Sequence, residues 1–333
     1  MTIKDIAKLS GFGIGTVSRA LNNHPDISQD TSEKIKAIAK EYNFVPNANA
    51  RQLKQKVSKS IVVIVKGNAN LFLSSLLENI QLYTSKIGYD IIVNYIGTKD
   101  NEVLIAKQLL NESKPVGILF LGAHSELFTS AFLDIKTPSV MCTTTGIGLE
   151  FSNLSSVSIN DENESYKAIS FLIKNGHKHF GVIGGELELS SSTKLRNAGC
   201  LKAFSENGIS LSNVHYSDAD YNMSRAYDCT KKLLSEHREI TAFFCMSDIM
   251  AFGTIRAIND LGYKVPDDIS VIGFDGIELA DYFTPRLTTI LQPTQEIVKK
   301  SIELLVNMIE RGESKQHILV DGQLVDKGSV KSI

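Results

Sequence analysis

The chain has little of what marks several protein classes. Its four cysteines, Cys142, Cys200, Cys229 and Cys245, are scattered through 333 residues and form no Cys-x-x-Cys pair. That excludes the common zinc and dithiol motifs, and their apolar or helical neighbours make them buried thiols of a reducing compartment. No apolar run approaches the roughly 20 residues of a spanning helix. The N-terminus is polar and amphipathic, so no secretory signal is expected and the chain is assigned to the cytoplasm, without a membrane partner. There is no short-period repeat or low-complexity tract, and no nucleophile–base constellation stands out. Gly11-Phe12-Gly13-Ile14-Gly15 follows no strand and lacks the dinucleotide spacing; Gly184-Gly185 follows a strand but has no Lys-Ser/Thr for phosphate. His177 and His179, two apart before a strand with no third ligand marked, read as turn residues rather than metal ligands. These absences argue against an enzyme, and no cofactor is expected.

What is present is concentrated at the start. Residues 1–60 hold ten Lys/Arg against five acids, a net +5 in a chain of net −2, so the remainder carries −7. A basic head on an acidic body suits a head that meets phosphate. Thr2 can cap a first helix whose inner face is Ile6, Ala7 and Leu9, and Gly11 and Gly13 supply a turn. Thr16 to Leu21 then restart a helical pattern, with Val17, Ala20 and Leu21 inward and Thr16, Ser18 and Arg19 outward. A short helix carrying polar side chains on a packed partner is the geometry that enters a major groove. Ser28 caps a third helix, roughly residues 31–43, with Ile35, Ile38, Ala39 and Tyr42 as its stripe. Pro46 stops it, and a segment from Asn47 to about Gln55 is too short to be a stable free helix.

Thr2-Ile3-Lys4-Asp5-Ile6-Ala7, followed by Gly11-x-x-x-x-Thr16-Val17-Ser18-Arg19-x-Leu21-Asn22, is similar to the head of the lac/galactose repressor family. Pro46-Asn47-x-x-Ala50-Arg51-x-Leu53 resembles that family's hinge. The resemblance continues through Gly176-His177-Lys178, Arg196 with Gly199, Ser247-Asp248-x-Met250-Ala251-x-Gly253, Val265-Pro266 to Asp275, and Pro285-x-Leu287-Thr288-Thr289.

Beyond residue 60, apolar runs alternate with helical stretches. Residues 61–65, 90–95, 116–121 and 139–142 read as buried strands, with helices over 71–87 and 103–111 between them. The cycle restarts with a strand at 180–184, helices at 194–207 and 225–236, a strand at 242–246, a helix at 249–261 and a strand at 270–273. Such alternation argues for parallel sheets with right-handed crossovers. The fold class is therefore α/β: an all-α helix-turn-helix head (1–45), a hinge helix and linker (46–60), and a body (61–333) of two doubly wound parallel sheets. The resemblance implies a two-lobed, periplasmic-binding-protein-like body crossed near Asn160, Gln292 and Asp321. Lobe 1 then covers about 61–160 and 292–320, and lobe 2 about 161–291 and 321–333.

The resemblance implies a ligand-responsive transcriptional regulator, a repressor, binding a pseudo-palindromic operator as a homodimer. Arg19 can donate bidentately to guanine, worth about 1–3 kcal/mol of discrimination; its bland alternative is a phosphate contact. Ile14 and Gly15 occupy operator-choosing positions but offer only apolar contact or none, and Thr16 and Ser18 suit phosphate or packing. Asn47 opens the hinge, Ala50 lets two hinge helices approach, and Leu53 matches the family's minor-groove wedge. Arg196 and Asp275 align with the family's sugar-contacting pair, whose fork and acceptor oxygens can hold vicinal hydroxyls. Tyr221 can cover an apolar sugar face, Phe72 lines the cleft mouth, and Ser247 and Asp248 could present polar groups, although Asp248 could equally serve as a cap. Two departures stand out. The family's Asp-Arg is Thr143-Thr144 here, and its Asn-Pro-Phe-Phe is Asn70-Leu71-Phe72-Leu73, so a charged contact and a rigid turn are expected to be missing. The expected effector is a sugar or sugar derivative; a sugar phosphate or a non-sugar remains open.

Overall fold

The computed structural model describes residues 2–21, 26–42, 44, 59–67 and 70–333. They form two units, residues 1–58 and 59–333. The hinge residues Asn47, Ala50 and Leu53 lie outside the described residues.

The head has helices α1 (Ile3–Ser10), α2 (Ile14–Leu21) and α3 (Gln29–Glu41). Thr2 and Asp5 close a reciprocal capping box on α1. The core is Ile6, Ala7, Val17, Ala20 and Ile35, with Leu21 and Ile38 packed against it. Leu9 is 47% exposed, not inward; Ser10, one turn beyond Ile6, takes the inner position. Tyr42 is exposed because α3 ends at Glu41 and Tyr42 caps it through its backbone. Only Gly11 uses a left-handed backbone (φ +73°), so the turn requires one glycine, not two.

The second unit begins with β1 (Ser60–Lys66), α4 (Leu71–Lys86), β2 (Asp90–Ile96), α5 (Glu102–Ser113), β3 (Gly117–Leu121), β4 (Ser139–Cys142) and β5 (Leu154–Ile159). It continues through α6 (Asp161–Lys174), β6 (Phe180–Gly184), α7 (Ser191–Glu206), β7 (Val214–Asp218), α8 (Met223–Glu236), β8 (Ala242–Cys245) and α9 (Asp248–Asp260). Then come β9 (Ser270–Asp275), α10 (Leu279–Tyr282), β10 (Thr288–Leu291), α11 (Thr294–Arg311), β11 (His317–Val320) and β12 (Gln323–Val325). One sheet runs β11-β5-β4-β3-β1-β2, all parallel. The other runs β12-β10-β9-β8-β6-β7, parallel except for β12. The chain leaves the first sheet after Ile159, returns through α11 to β11, and leaves again after Val320. Each lobe therefore contains segments distant in sequence.

The strand expected at 90–95 exists, but it is an edge strand and not buried: Val93 and Tyr95 are 37% and 50% exposed. Strands β5, β7, β10, β11 and β12 and helices α6, α10 and α11 lie beyond the elements expected from the sequence. Strand β5 is fully buried although three of its six residues are serines. Ser155 accepts from the Gln316 amide (3.0 Å) and Ser156 from that of Gly146 (2.9 Å), which satisfies hydroxyls that read as loop. Cys142, Cys200 and Cys245 are buried, whereas Cys229 is half-buried on α8.

Candidate functional site

On α2, Ile14 (47% exposed), Gly15 and Arg19 face solvent, with Thr16 and Ser18 half-buried beside them. Val17 and Ala20 anchor the opposite face. Arg19 lies one turn after Gly15, and its guanidinium would stand 3.9 Å from a side chain there.

In the second unit, a cavity of about 320 Å³ opens where the carboxyl ends of both sheets converge. Lys66 ends β1, Gly122 and Ala123 follow β3, and Thr143 and Thr144 follow β4. From the second sheet come Asp275 at the end of β9, Asp220 and Tyr221 after β7, and Arg196 on α7. Open α/β sheets offer ligands this crevice.

The structure brings Phe72, Arg196, Tyr221 and Asp275 together around this cavity, Phe72 from the first lobe and the other three from the second. Arg196 donates through Nε to Asp161 Oδ1 (2.7 Å) and through Nη1 to the Met246 carbonyl. It stacks 3.7 Å over the Phe274 ring and stands 4.0 Å from Asp275 Oδ1. Burial works against its charge, but Asp161, Tyr221 and Asp275 outweigh that and raise its pKa. Burial likewise raises Asp275 well above the ordinary carboxylate value, against the lowering by Arg196. Gln292 donates its amide to Asp275 Oδ1 (2.9 Å) and its backbone N–H to the Asp275 carbonyl (3.1 Å). Tyr221 pairs with the Thr193 hydroxyl at 2.9 Å, and its ring lies so close to Gly185 that a side chain there would collide. That packing, rather than phosphate binding, accounts for the glycine after β6.

Ser247 and Asp248 are not brought to the cavity. Ser247 accepts from the Met250 amide and caps α9. Asp248 is fully buried, accepting from the Thr289 hydroxyl (2.6 Å) and the Ile277 amide (2.8 Å). Burial pushes its carboxyl up to about 7. It secures the loop that follows Asp275, behind the wall.

The two departures take definite forms. Asn70 Oδ1 accepts from the Phe72 and Leu73 amides (3.0 and 3.2 Å), so the turn is fixed by a side-chain cap without proline. No proline stands here, and the Asn70 side chain caps the helix start instead. Thr143 sits at φ +79° on the wall, and Thr144 donates to the Ala123 carbonyl at 2.9 Å.

Of the five non-glycine residues with positive φ among the described residues, Thr143, Asp220, Tyr221 and Asp275 all line this cavity. Such conformations cost about 1–3 kcal/mol each and persist where surroundings over-determine them. Sequence reasoning missed Asp161 and Gln292, which hold Arg196 and Asp275. It also missed Lys66, whose Nζ lies 2.6 Å from the buried Glu102 carboxylate. Polarity at a strand end or helix start was the only available signal for these three.

Residues 2–47 match the model described as bacterial regulatory proteins, lacI family, and residues 169–330 the periplasmic binding protein-like domain. The HTH-type transcriptional regulator MalR of Clostridium butyricum is 38% identical over 339 residues, covering 100% of both chains. The chain belongs to the LacI family of bacterial regulatory proteins. Within that family, the transcriptional repressor PurR of Vibrio vulnificus is 32% identical, covering 100% of this chain and 99% of its own. Among solved LacI-family structures, the Lac repressor bound to ONPG in the repressed state superposes with a TM-score of 0.79 at 25% identity, over 99% of each chain. The fold class, an N-terminal helix-turn-helix head followed in sequence by two parallel-rich sheets, agrees with these relatives, which are regulators rather than enzymes. Among the described residues no helix is long and apolar enough to cross a membrane.

Proposed function

We propose that this LacI-family chain is a cytoplasmic repressor whose operator affinity is set by an uncharged polyhydroxylated effector of the sugar class, held in the cavity between the lobes. The observation that carries the reading is the Arg196–Asp275 pair in a cavity to which both sheets contribute. The guanidinium fork donates to hydroxyls and the carboxylate accepts from them, while Phe72 and Tyr221 offer apolar faces. The Lac repressor neighbour, solved bound to ONPG, supports a small-molecule effector of this class.

Charge pairing favours a neutral ligand over a sugar phosphate. Among the described lining residues, Lys66 pairs with Glu102 (2.6 Å), Arg196 with Asp161 (2.7 Å), and Arg225 with Asp220 (3.1 Å). His124 is kept neutral at neutral pH, its pKa lowered to about 4 by burial and then by Lys66. A phosphate would compete with the carboxylates already paired to these cations. Ser247 and Asp248 act behind the wall by positioning Asp275's loop.

Residues 1–45 serve as the reading head and 46–60 as the hinge, with 61–333 as the body. Arg19 and Ile14 meet base edges beside Gly15, Thr16 and Ser18 meet the backbone or pack, Asn47 opens the hinge, Ala50 lets two hinge helices approach, and Leu53 enters the minor groove. A homodimer supplies the two heads for a pseudo-palindrome, as in the Lac repressor dimer bound to operator, a neighbour with a TM-score of 0.76 at 25% identity.

A thermal-shift panel of neutral mono- and disaccharides and their phosphates tests the ligand class. A ligand bound only by the folded protein raises the melting temperature. Stabilisation by a neutral saccharide supports the assignment; stabilisation by phosphorylated sugars alone contradicts it.

A further inference from the structure

The second sheet carries a group of side chains at the opposite end from the cavity, which the effector reading does not use. His215 lies near the start of β7, about 10 Å of strand from Asp218 at the cavity end. His237 caps α8, and Glu239 follows it in the connection to β8. One ligand atom from each, two ring nitrogens and a carboxylate oxygen, lie within 4.8 Å of one another. Glu239 Oε1 is 3.4 Å from His237 Nδ1 and 3.7 Å from His215 Nε2. The imidazoles stack with centroids 3.5 Å apart at 15°. His215 Nε2 is buried without a hydrogen-bond partner, and so is Nδ1 of His179, which lies near enough to interact electrostatically with His215.

Stacked imidazoles beside one carboxylate, with two buried ring nitrogens unpartnered, are a poor structural arrangement. Buried polar atoms are ordinarily bonded, and an orphan is destabilising. They are a good donor set for a borderline divalent ion, which takes imidazole nitrogen and carboxylate oxygen at about 2.0–2.2 Å. We propose that His215, His237 and Glu239 bind one divalent transition-metal ion of the zinc or nickel type, with His179 or water as the remaining ligand. The lone pair of an imidazole lies in its ring plane, so parallel stacked rings cannot both point at one ion. Binding therefore swings His237, the more exposed ring at 32%, out of the stack. The ion would tie β7 to the α8–β8 connection, two segments of lobe 2 that the strand ladder does not join directly.

The test uses the full chain, freed of metal with chelator and titrated calorimetrically with ZnCl2, NiCl2 or MgCl2. The expected result is one zinc or nickel ion per chain and no magnesium binding. His237→Gln and Glu239→Gln should each weaken zinc binding at least about tenfold. Cys229→Ser, which removes the half-buried thiol of α8, should leave it unchanged. Glu239 is exposed enough that its substitution leaves folding intact, and melting of the metal-free variants checks this. No stoichiometric zinc binding by the wild-type chain overturns the proposal. So does zinc binding with wild-type affinity in both His237→Gln and Glu239→Gln.

Discussion

Arg19 is the side chain on which sequence-specific reading turns. It is exposed on α2, opposite Val17 and Ala20 in the head core. Arg19→Ala should lose about 1–3 kcal/mol of operator binding while weak, salt-sensitive binding to random DNA persists. Gel retardation on both DNAs separates the cases, and equal losses would make Arg19 a phosphate contact. His124 carries a pH signature. Its folded pKa is about 4 against an ordinary 6.5, chiefly because burial disfavours its charge. Between those values the unfolded chain takes up a proton that the folded protein does not, so stability falls as pH drops from about 6.5 towards about 4. In thermal unfolding across that window, His124→Gln should show a shallower fall than wild type; an unchanged slope would remove His124 as a contributor.

Helix packing in lobe 2 explains two glycines that the sequence offered only as motif members. A side chain at Gly199 of α7 would overlap the Glu162 carbonyl of α6, and one at Gly253 of α9 would overlap the Met223 carbonyl of α8. The obstructing atoms are backbone, so neither can turn aside. Gly199→Ala and Gly253→Ala should each destabilise by about 1–3 kcal/mol or more, read as a lower urea midpoint. Wild-type midpoints would show that the helices can separate without cost. The alternation of apolar runs and helices made the parallel sheets legible, because strands such as β1 and β3 are continuous hydrophobic runs. Strand β5 was hidden because three of its six residues are serines, and the partners of Ser155 and Ser156, among them Gln316 and Gly146, are met only in the fold. Arg196 and Asp275 were legible through their motifs. Asp161 and Gln292 were not, since only tertiary structure sets them against that pair. Ser247 and Asp248 carried a motif whose use proves to be internal support.

At the scale of the molecule, the cavity is built by segments from both sheets, and contacts also cross between the lobes: Lys194 on α7 lies 3.2 Å from Glu126. A ligand that touches both walls favours one relation between the lobes, and it shifts operator affinity only by its differential affinity for the two states. Such coupling is typically about 1–3 kcal/mol, or 5- to 150-fold in affinity. The most direct test is operator affinity, measured with and without a saturating saccharide found in the thermal-shift panel, for wild type and Asp275→Ala. Wild type should change its operator affinity at least about fivefold on adding the saccharide. Asp275→Ala should keep the ligand-free affinity and lose the change. A variant that responds with wild-type amplitude would show that operator control does not pass through this cavity.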